Sequence, residues 1–154
     1  MAKTKKVARK RIAQKRIGKP AVKRSARIPE RAYTDIKYKV KNQVAWVTIN
    51  RPRVLNAFRE QTLDELIDAL KSTRNDPSIA CAVVTGAGNK AFSAGGDFYA
   101  MKRLTWTNAA MWNDRMQGLA MTIRGLAIPV IAMVNGWCMG GGHKIGRASC
   151  RERV

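Results

Sequence analysis

From Tyr33 onward the spacing of apolar and polar positions changes period several times, and each period predicts an element. Tyr38 to Val40 and Val44-Ala45-Trp46-Val47-Thr48-Ile49 read as two strands joined by the polar turn Lys41-Asn42-Gln43. Arg51-Pro52 ends the second strand, because proline has no N–H to give to a ladder. Leu63, Leu66, Ile67 and Leu70 then fall at helical spacing, with Thr62 and Glu65 as a capping box and Asn75-Asp76-Pro77 as the stop. Ile79 to Thr85 is a continuous apolar run of strand length, the pattern of a strand covered on both faces. Trp112, Met116, Leu119 and Ile123 share one face of a helix predicted over 107–125, and their Trp and Met are read as core. Pro129 opens another buried strand, Val130 to Val134. Strand, helix, strand, helix, strand predicts right-handed parallel crossovers and an α/β domain.

Two glycine-rich segments each follow such a strand: Ala91-Phe92-Ser93-Ala94-Gly95-Gly96-Asp97 and Asn135-Gly136-Trp137-Cys138-Met139-Gly140-Gly141-Gly142. Glycine lets a backbone N–H approach a ligand closely, and two such loops brought together aim two donors at one oxygen, the construction of an oxyanion hole. Tight turns alone account for either loop taken singly; the pair points to a ligand site. Gly86-Ala87-Gly88-Asn89-Lys90-Ala91 matches a dinucleotide fingerprint in form only. The residues that follow do not start a helix, and Asp97 comes too early for the ribose carboxylate. No Gly-Lys-Ser/Thr is present for a phosphate loop.

The 154 residues suffice for one domain with a real core. The formal charge of +20 is uneven: residues 1–31 hold thirteen Lys or Arg against Glu30 alone. That stretch is too charged to fold by itself and is expected to be a disordered arm, or coding sequence misread upstream of the true start. No aromatic residue interleaves its charges before Tyr33, so nucleic acid is not an expected partner. Cys81, Cys138 and Cys150 form no CxxC pair, and with the single His143 no zinc site or other metal is expected; a cytoplasmic setting fits. No membrane span or secretory signal is read. Residues 145–154 (IGRASCRERV) read as the translation of a common sequencing adapter. They are expected to carry no functional information, and Cys150 and Glu152 are set aside from site arguments.

Asn50-Arg51-Pro52 with Asn56-Ala57-Phe58, then Thr85-Gly86, Ala91 to Asp97, Pro129 to Gly136 and Gly140-Gly141-Gly142 are similar in order and spacing to the crotonase superfamily of enoyl-CoA hydratases and isomerases. The resemblance covers about residues 36–143. It implies an α/β fold of crotonase-like ββα spiral repeats, of which residues 32–144 would be the N-terminal half. It implies an acyl-CoA substrate, no cofactor beyond the coenzyme A carried in that substrate, and a homotrimer or hexamer for the full-length protein.

By the same resemblance, the thioester oxygen sits between the N–H groups of Gly96 and Gly141. Such donors stabilise a developing enolate by about 3 kcal/mol each. Gly141 is expected to open a helix whose N-terminal dipole favours the same charge. Val54, Ala57, Ala94, Asp97 and Phe98, with Tyr99 beside them, line the CoA groove. Phe98 and Tyr99 fit plain packing equally well, and Asp97 is read as accepting loop N–H bonds rather than as catalytic.

Hydratases of this family carry a glutamate two residues after the glycine triplet and another on a later turn. Lys144 holds the first position and the second lies beyond Val154, so the 154-residue chain is expected to be inactive. His143 in a Gly-Gly-Gly-His context resembles dihydroxynaphthoyl-CoA synthases and ketocyclohexanecarboxyl-CoA hydrolases. Asn135-Gly136-Trp137-Cys138 resembles hydroxycinnamoyl-CoA hydratase-lyases, so the subfamily and the acyl group stay open. His143 is read as a packing or supporting residue rather than a general base. The alternative from another class is an RNA-binding protein on the same scaffold, acting through the basic arm.

Overall fold

The computed structural model describes residues 32–149. The basic arm with its RNA reading, and residues 150–154, lie outside the described residues. Strands β1 (Ile36–Lys41) and β2 (Val44–Ile49) form an antiparallel hairpin with Ile36 opposite Ile49 and Lys41 opposite Val44. The first strand runs through Lys41, so the loop is only Asn42-Gln43. Both take left-handed angles, φ 53° and 64°, and such a turn matches the twist of the flanking strands.

Helix α1 (Glu60–Ser72) then carries the chain to β3 (Cys81–Gly86), which lies parallel to β2. Next come β4 (Ala91–Ser93), the short α2 (Phe98–Met101) and α3 (Trp106–Gly125). Strand β5 (Val130–Met133) lies parallel to β3, giving a four-stranded sheet in the order β1-β2-β3-β5. β6 (Trp137–Cys138) pairs in parallel with β4 as a second, two-stranded sheet, and α4 (Gly141–Ser149) follows.

The core lies between the larger sheet and the helices. Ala45, Val47 and Ile49 of β2 and Ala82 and Val84 of β3 are buried with Leu63, Leu66 and Leu70 of α1 and with Trp112, Met116, Leu119 and Ile123 of α3. The helical stripes predicted from spacing are therefore the faces that pack. Among the described residues, no helix is long and apolar enough to cross a membrane.

Three expectations change. First, α1 begins at Glu60, two residues before Thr62. Thr62 is its third residue, and its Oγ1 accepts the Arg59 N–H at 3.2 Å. Glu65 caps nothing; its carboxylate accepts the N–H groups of Thr34, Asp35 and Ile36 at 3.0, 2.8 and 3.2 Å, tying β1 to the helix. The Thr-x-x-Glu spacing suits a capping box, but a partner thirty residues away takes the carboxylate. Second, the ladder of β3 starts at Cys81 rather than Ile79 and runs through Gly86. Third, β5 buries one face only. Val130 is 7% exposed whereas Ile131 and Met133 are 51% and 44% exposed, because successive side chains point to opposite faces and only one face of this strand is covered among the described residues. Val134 lies past its end.

Candidate functional site

The two glycine loops meet beyond the C-terminal ends of the parallel strands. Trp137 N–H donates to the Lys90 carbonyl at 3.0 Å and Met139 N–H to the Ser93 carbonyl at 2.9 Å, and this pairing brings Gly95-Gly96 alongside Gly140-Gly141. Gly95 has φ +95°, and a Cβ there would stand 3.1 Å from the Met139 carbonyl oxygen and 3.2 Å from the Gly141 nitrogen. A side chain at Gly95 would push the loops apart, so the approach requires glycine.

Phe58 joins the two loops. Its N–H donates to the Gly95 carbonyl and its own carbonyl accepts the Asp97 N–H, both at 2.7 Å, so Gly96 is pinned from both sides in a parallel bridge. The Phe58 ring is fully buried and lies 3.0–3.1 Å from where a Cβ on Gly141 would stand. Among the described residues, neither the Gly96 N–H nor the Gly141 N–H has a protein acceptor, and both residues are half-buried. Gly141 is the first residue of α4, where N–H groups find no partner within the helix and the dipole favours negative charge.

Asp97 follows Gly96 and is buried. Its Oδ1 accepts the N–H groups of Tyr99 and Ala100 at 3.0 and 3.3 Å, capping α2, and its Oδ2 accepts from Arg51 Nη2 at 2.9 Å. Burial alone would raise this carboxyl, but the Arg51 hydrogen bond and charge together with the two N–H donors hold it below the usual carboxylate range. It is therefore ionised and fully engaged at neutral pH. Arg51 also donates from Nη1 to the Ala57 carbonyl at 2.5 Å, and its Nε stands 3.7 Å from Asp35 Oδ2. Asp35 in turn is gripped by Arg59 through Nε and Nη2, both at 2.7 Å, and by the Thr62 hydroxyl at 2.5 Å.

The other residues singled out from sequence are dispersed around this centre. Ala57 is buried and Ala94 half-buried, with the Ala94 N–H on the Leu55 carbonyl at 3.0 Å. Val54 ends an exposed 3-10 turn, Pro52–Val54. Phe98 and Tyr99 stand out at 74% and 78% exposure, ring edge to ring face with centroids 6.1 Å apart. His143 and Lys144 are exposed on α4. A groove of about 390 Å³ runs between α3 and α4 past Met116 and Lys144, and its lining includes neither Gly96 nor Gly141.

Two asparagines gain roles that the sequence did not assign. Asn56, buried and at φ 55°, donates from Nδ2 to the carbonyls of Ala87 and Ala91 at 3.0 and 2.7 Å and accepts the Arg51 N–H at 3.0 Å. Asn135 donates to the carbonyls of Gly86 and Gly88 at 2.8 and 2.6 Å and accepts the Gly86 N–H at 3.2 Å. Together they hold the loop between β3 and β4. The available signal was an asparagine in a turn, Asn56 at a left-handed angle and Asn135 just past β5, a residue type that bonds backbone groups.

The chain has known relatives. Residues 39–149 match the family model for enoyl-CoA hydratase/isomerase, and the chain belongs to that family. Its α/β fold is crotonase-like. A crotonyl-CoA hydratase of Syntrophomonas wolfei is 36% identical over 114 residues, which cover 74% of this chain and 44% of that protein. An enoyl-CoA hydratase of Bacillus anthracis superposes with a TM-score of 0.72 at 27% identity, over 75% of this chain and 45% of the other. A crystallised enoyl-CoA hydratase/isomerase (crotonase) of Legionella pneumophila gives 0.71 at 31% identity, over 76% and 46%. The chain thus spans a little under half the length of these relatives.

Proposed function

We propose that the Gly96 and Gly141 N–H groups receive the thioester oxygen of an acyl-CoA and stabilise the enolate that forms as a proton leaves or a nucleophile adds. One observation carries this reading: two half-buried N–H groups, with no acceptor among the described residues, on loops in contact at Gly95. Charge moves onto the thioester oxygen in the reaction, so fixed donors there favour the transition state over the bound substrate. The start of α4 adds its dipole at the same place. The CoA moiety then runs along Val54, Ala57, Ala94, Asp97, Phe98 and Tyr99. The exposure of Val54, Phe98 and Tyr99 supports that course. Coenzyme A enters only as part of the substrate, and the full-length protein is a homotrimer or hexamer with hydratase or isomerase chemistry.

Proton transfer needs a positioned acid or base. Asp97 is committed to Arg51 and the α2 cap, and Lys144 stands where family hydratases carry a glutamate. The 154-residue chain is therefore expected to bind acyl-CoA without hydrating crotonyl-CoA. The test compares acetoacetyl-CoA, whose enolate presents an oxyanion, with an S-alkyl-CoA lacking the carbonyl. The carbonyl compound should bind at least about tenfold more tightly. Equal affinity refutes the oxyanion site, and measurable crotonyl-CoA hydration refutes the expectation that no acid or base of this chain is positioned for the proton transfer.

A further inference from the structure

We infer that Arg51 is a positioning residue for this site, one that fixes the direction of the Gly96 N–H without touching the substrate; the inference rests on the oxyanion reading above. The parallel bridge at the site pairs Phe58 with Gly96. Ala57 precedes Phe58 and Asp97 follows Gly96, and a single guanidinium holds both: Nη1 on the Ala57 carbonyl, Nη2 on Asp97 Oδ2. Arg51 thus spans the bridge from outside, across the two backbone bonds that Phe58 makes from within.

The side chain is built in rather than draped over the surface, with 16% of it exposed against 10% for Asp97 and 4% for Asp35. Its own backbone N–H is fixed by Asn56 Oδ1, and its Nε faces the Asp35 carboxylate that Arg59 and Thr62 anchor to the start of α1. The chain of contacts therefore runs from the first turn of α1 through Asp35, Arg51 and Asp97 to Gly96. A planar fork makes two directed bonds at once, whereas a lysine ammonium is a point charge that does not reproduce that geometry. Without the fork, the bridge keeps the two Phe58 backbone bonds but loses the brace on Ala57 and Asp97, one on each of its strands. Small misplacements of an oxyanion donor are costly because the interaction depends on alignment with the developing charge.

The test uses the full 154-residue chain and its R51M and R51K variants, each checked for folding by circular dichroism and urea unfolding. The readout is the affinity for acetoacetyl-CoA divided by that for S-alkyl-CoA. In R51M that preference should fall by roughly tenfold, towards equal affinity, with S-alkyl-CoA affinity changed far less, and R51K should restore part of it. A merely structural Arg51 would weaken both ligands together and leave the ratio intact. Should R51M fail to fold, D97N decides: Oδ1 still caps α2, while an amide NH₂ in place of Oδ2 opposes the guanidinium donor to donor. A folded R51M or D97N with the wild-type ratio overturns the inference. A wild-type chain with no carbonyl preference overturns the oxyanion reading itself, so the two failures are told apart.

Discussion

Replacing Phe58 by alanine should lower the urea midpoint of the chain by roughly 2 M, a loss of about 3–5 kcal/mol. The ring is fully buried in the main core and stands against Gly141 and the loop of the second sheet. Truncating it removes apolar burial and leaves a cavity that rigid neighbours fill only in part. The Phe58 backbone bonds to Gly95 and Asp97 survive in principle, but the support beneath Gly141 does not. The same variant should therefore lose its preference for the carbonyl ligand along with its stability. A midpoint shift below about 0.5 M would show that the ring is not packed as described.

Asp35→Ala should cost about 2–3 kcal/mol at pH 7, the penalty for removing a buried carboxylate from Arg59, Thr62 and Arg51, discounted because the Arg59 side chain is 40% exposed. The variant leaves the Thr62 hydroxyl and the Arg59 guanidinium without their acceptor and removes one of the two carboxylates that face Arg51, which keeps Asp97. The penalty should also depend on pH. Burial alone would raise the Asp35 carboxyl, but hydrogen bonds from Arg59 and Thr62 and the charges of Arg59 and Arg51 hold it below its usual range. A carboxyl depressed by folding gives stability that is complete above the unfolded value, about 3.9, and lost as pH falls through the folded value. The gap between wild type and variant in urea midpoint should thus be full at pH 7 and narrow below about pH 4. A gap that stays constant to pH 2.5 would mean that the ionised carboxylate is not what holds the network.

Elements whose signal is local were legible in the sequence. The α3 stripe of Trp112, Met116, Leu119 and Ile123 is buried as its spacing predicts, and β3 is covered on both faces as its continuous apolar run requires. The loop after β3 leads into a strand, as the lack of a helix start after Gly88 predicted. Thr62 and Glu65 misled because the competing partners are distant in sequence: Asp35 takes one and the start of β1 the other. The uncovered face of β5 was equally hidden, since Val130 to Met133 is apolar throughout and only the packing shows that Ile131 and Met133 point away from the core.

The site divides in the same way. Glycine spacing marked both loops, because close backbone approach demands that residue type. The residues that brace them were not assigned roles. Arg51 meets Asp97 across 46 positions, Asn56 meets Ala91 across 35, and Asn135 meets Gly86 across 49. Such contacts leave no periodicity to read; they exist only once the parallel crossovers have brought the loops together.

The most direct measurement is an amide spectrum of the chain labelled with ¹⁵N-glycine, titrated with acetoacetyl-CoA and, separately, with S-alkyl-CoA. Twelve glycines make a spectrum small enough to assign. An oxyanion site at these two residues predicts that the Gly96 and Gly141 resonances shift together, downfield, with the carbonyl ligand and hold still with the S-alkyl compound. Acetoacetyl-CoA binding that leaves both resonances unmoved would contradict it.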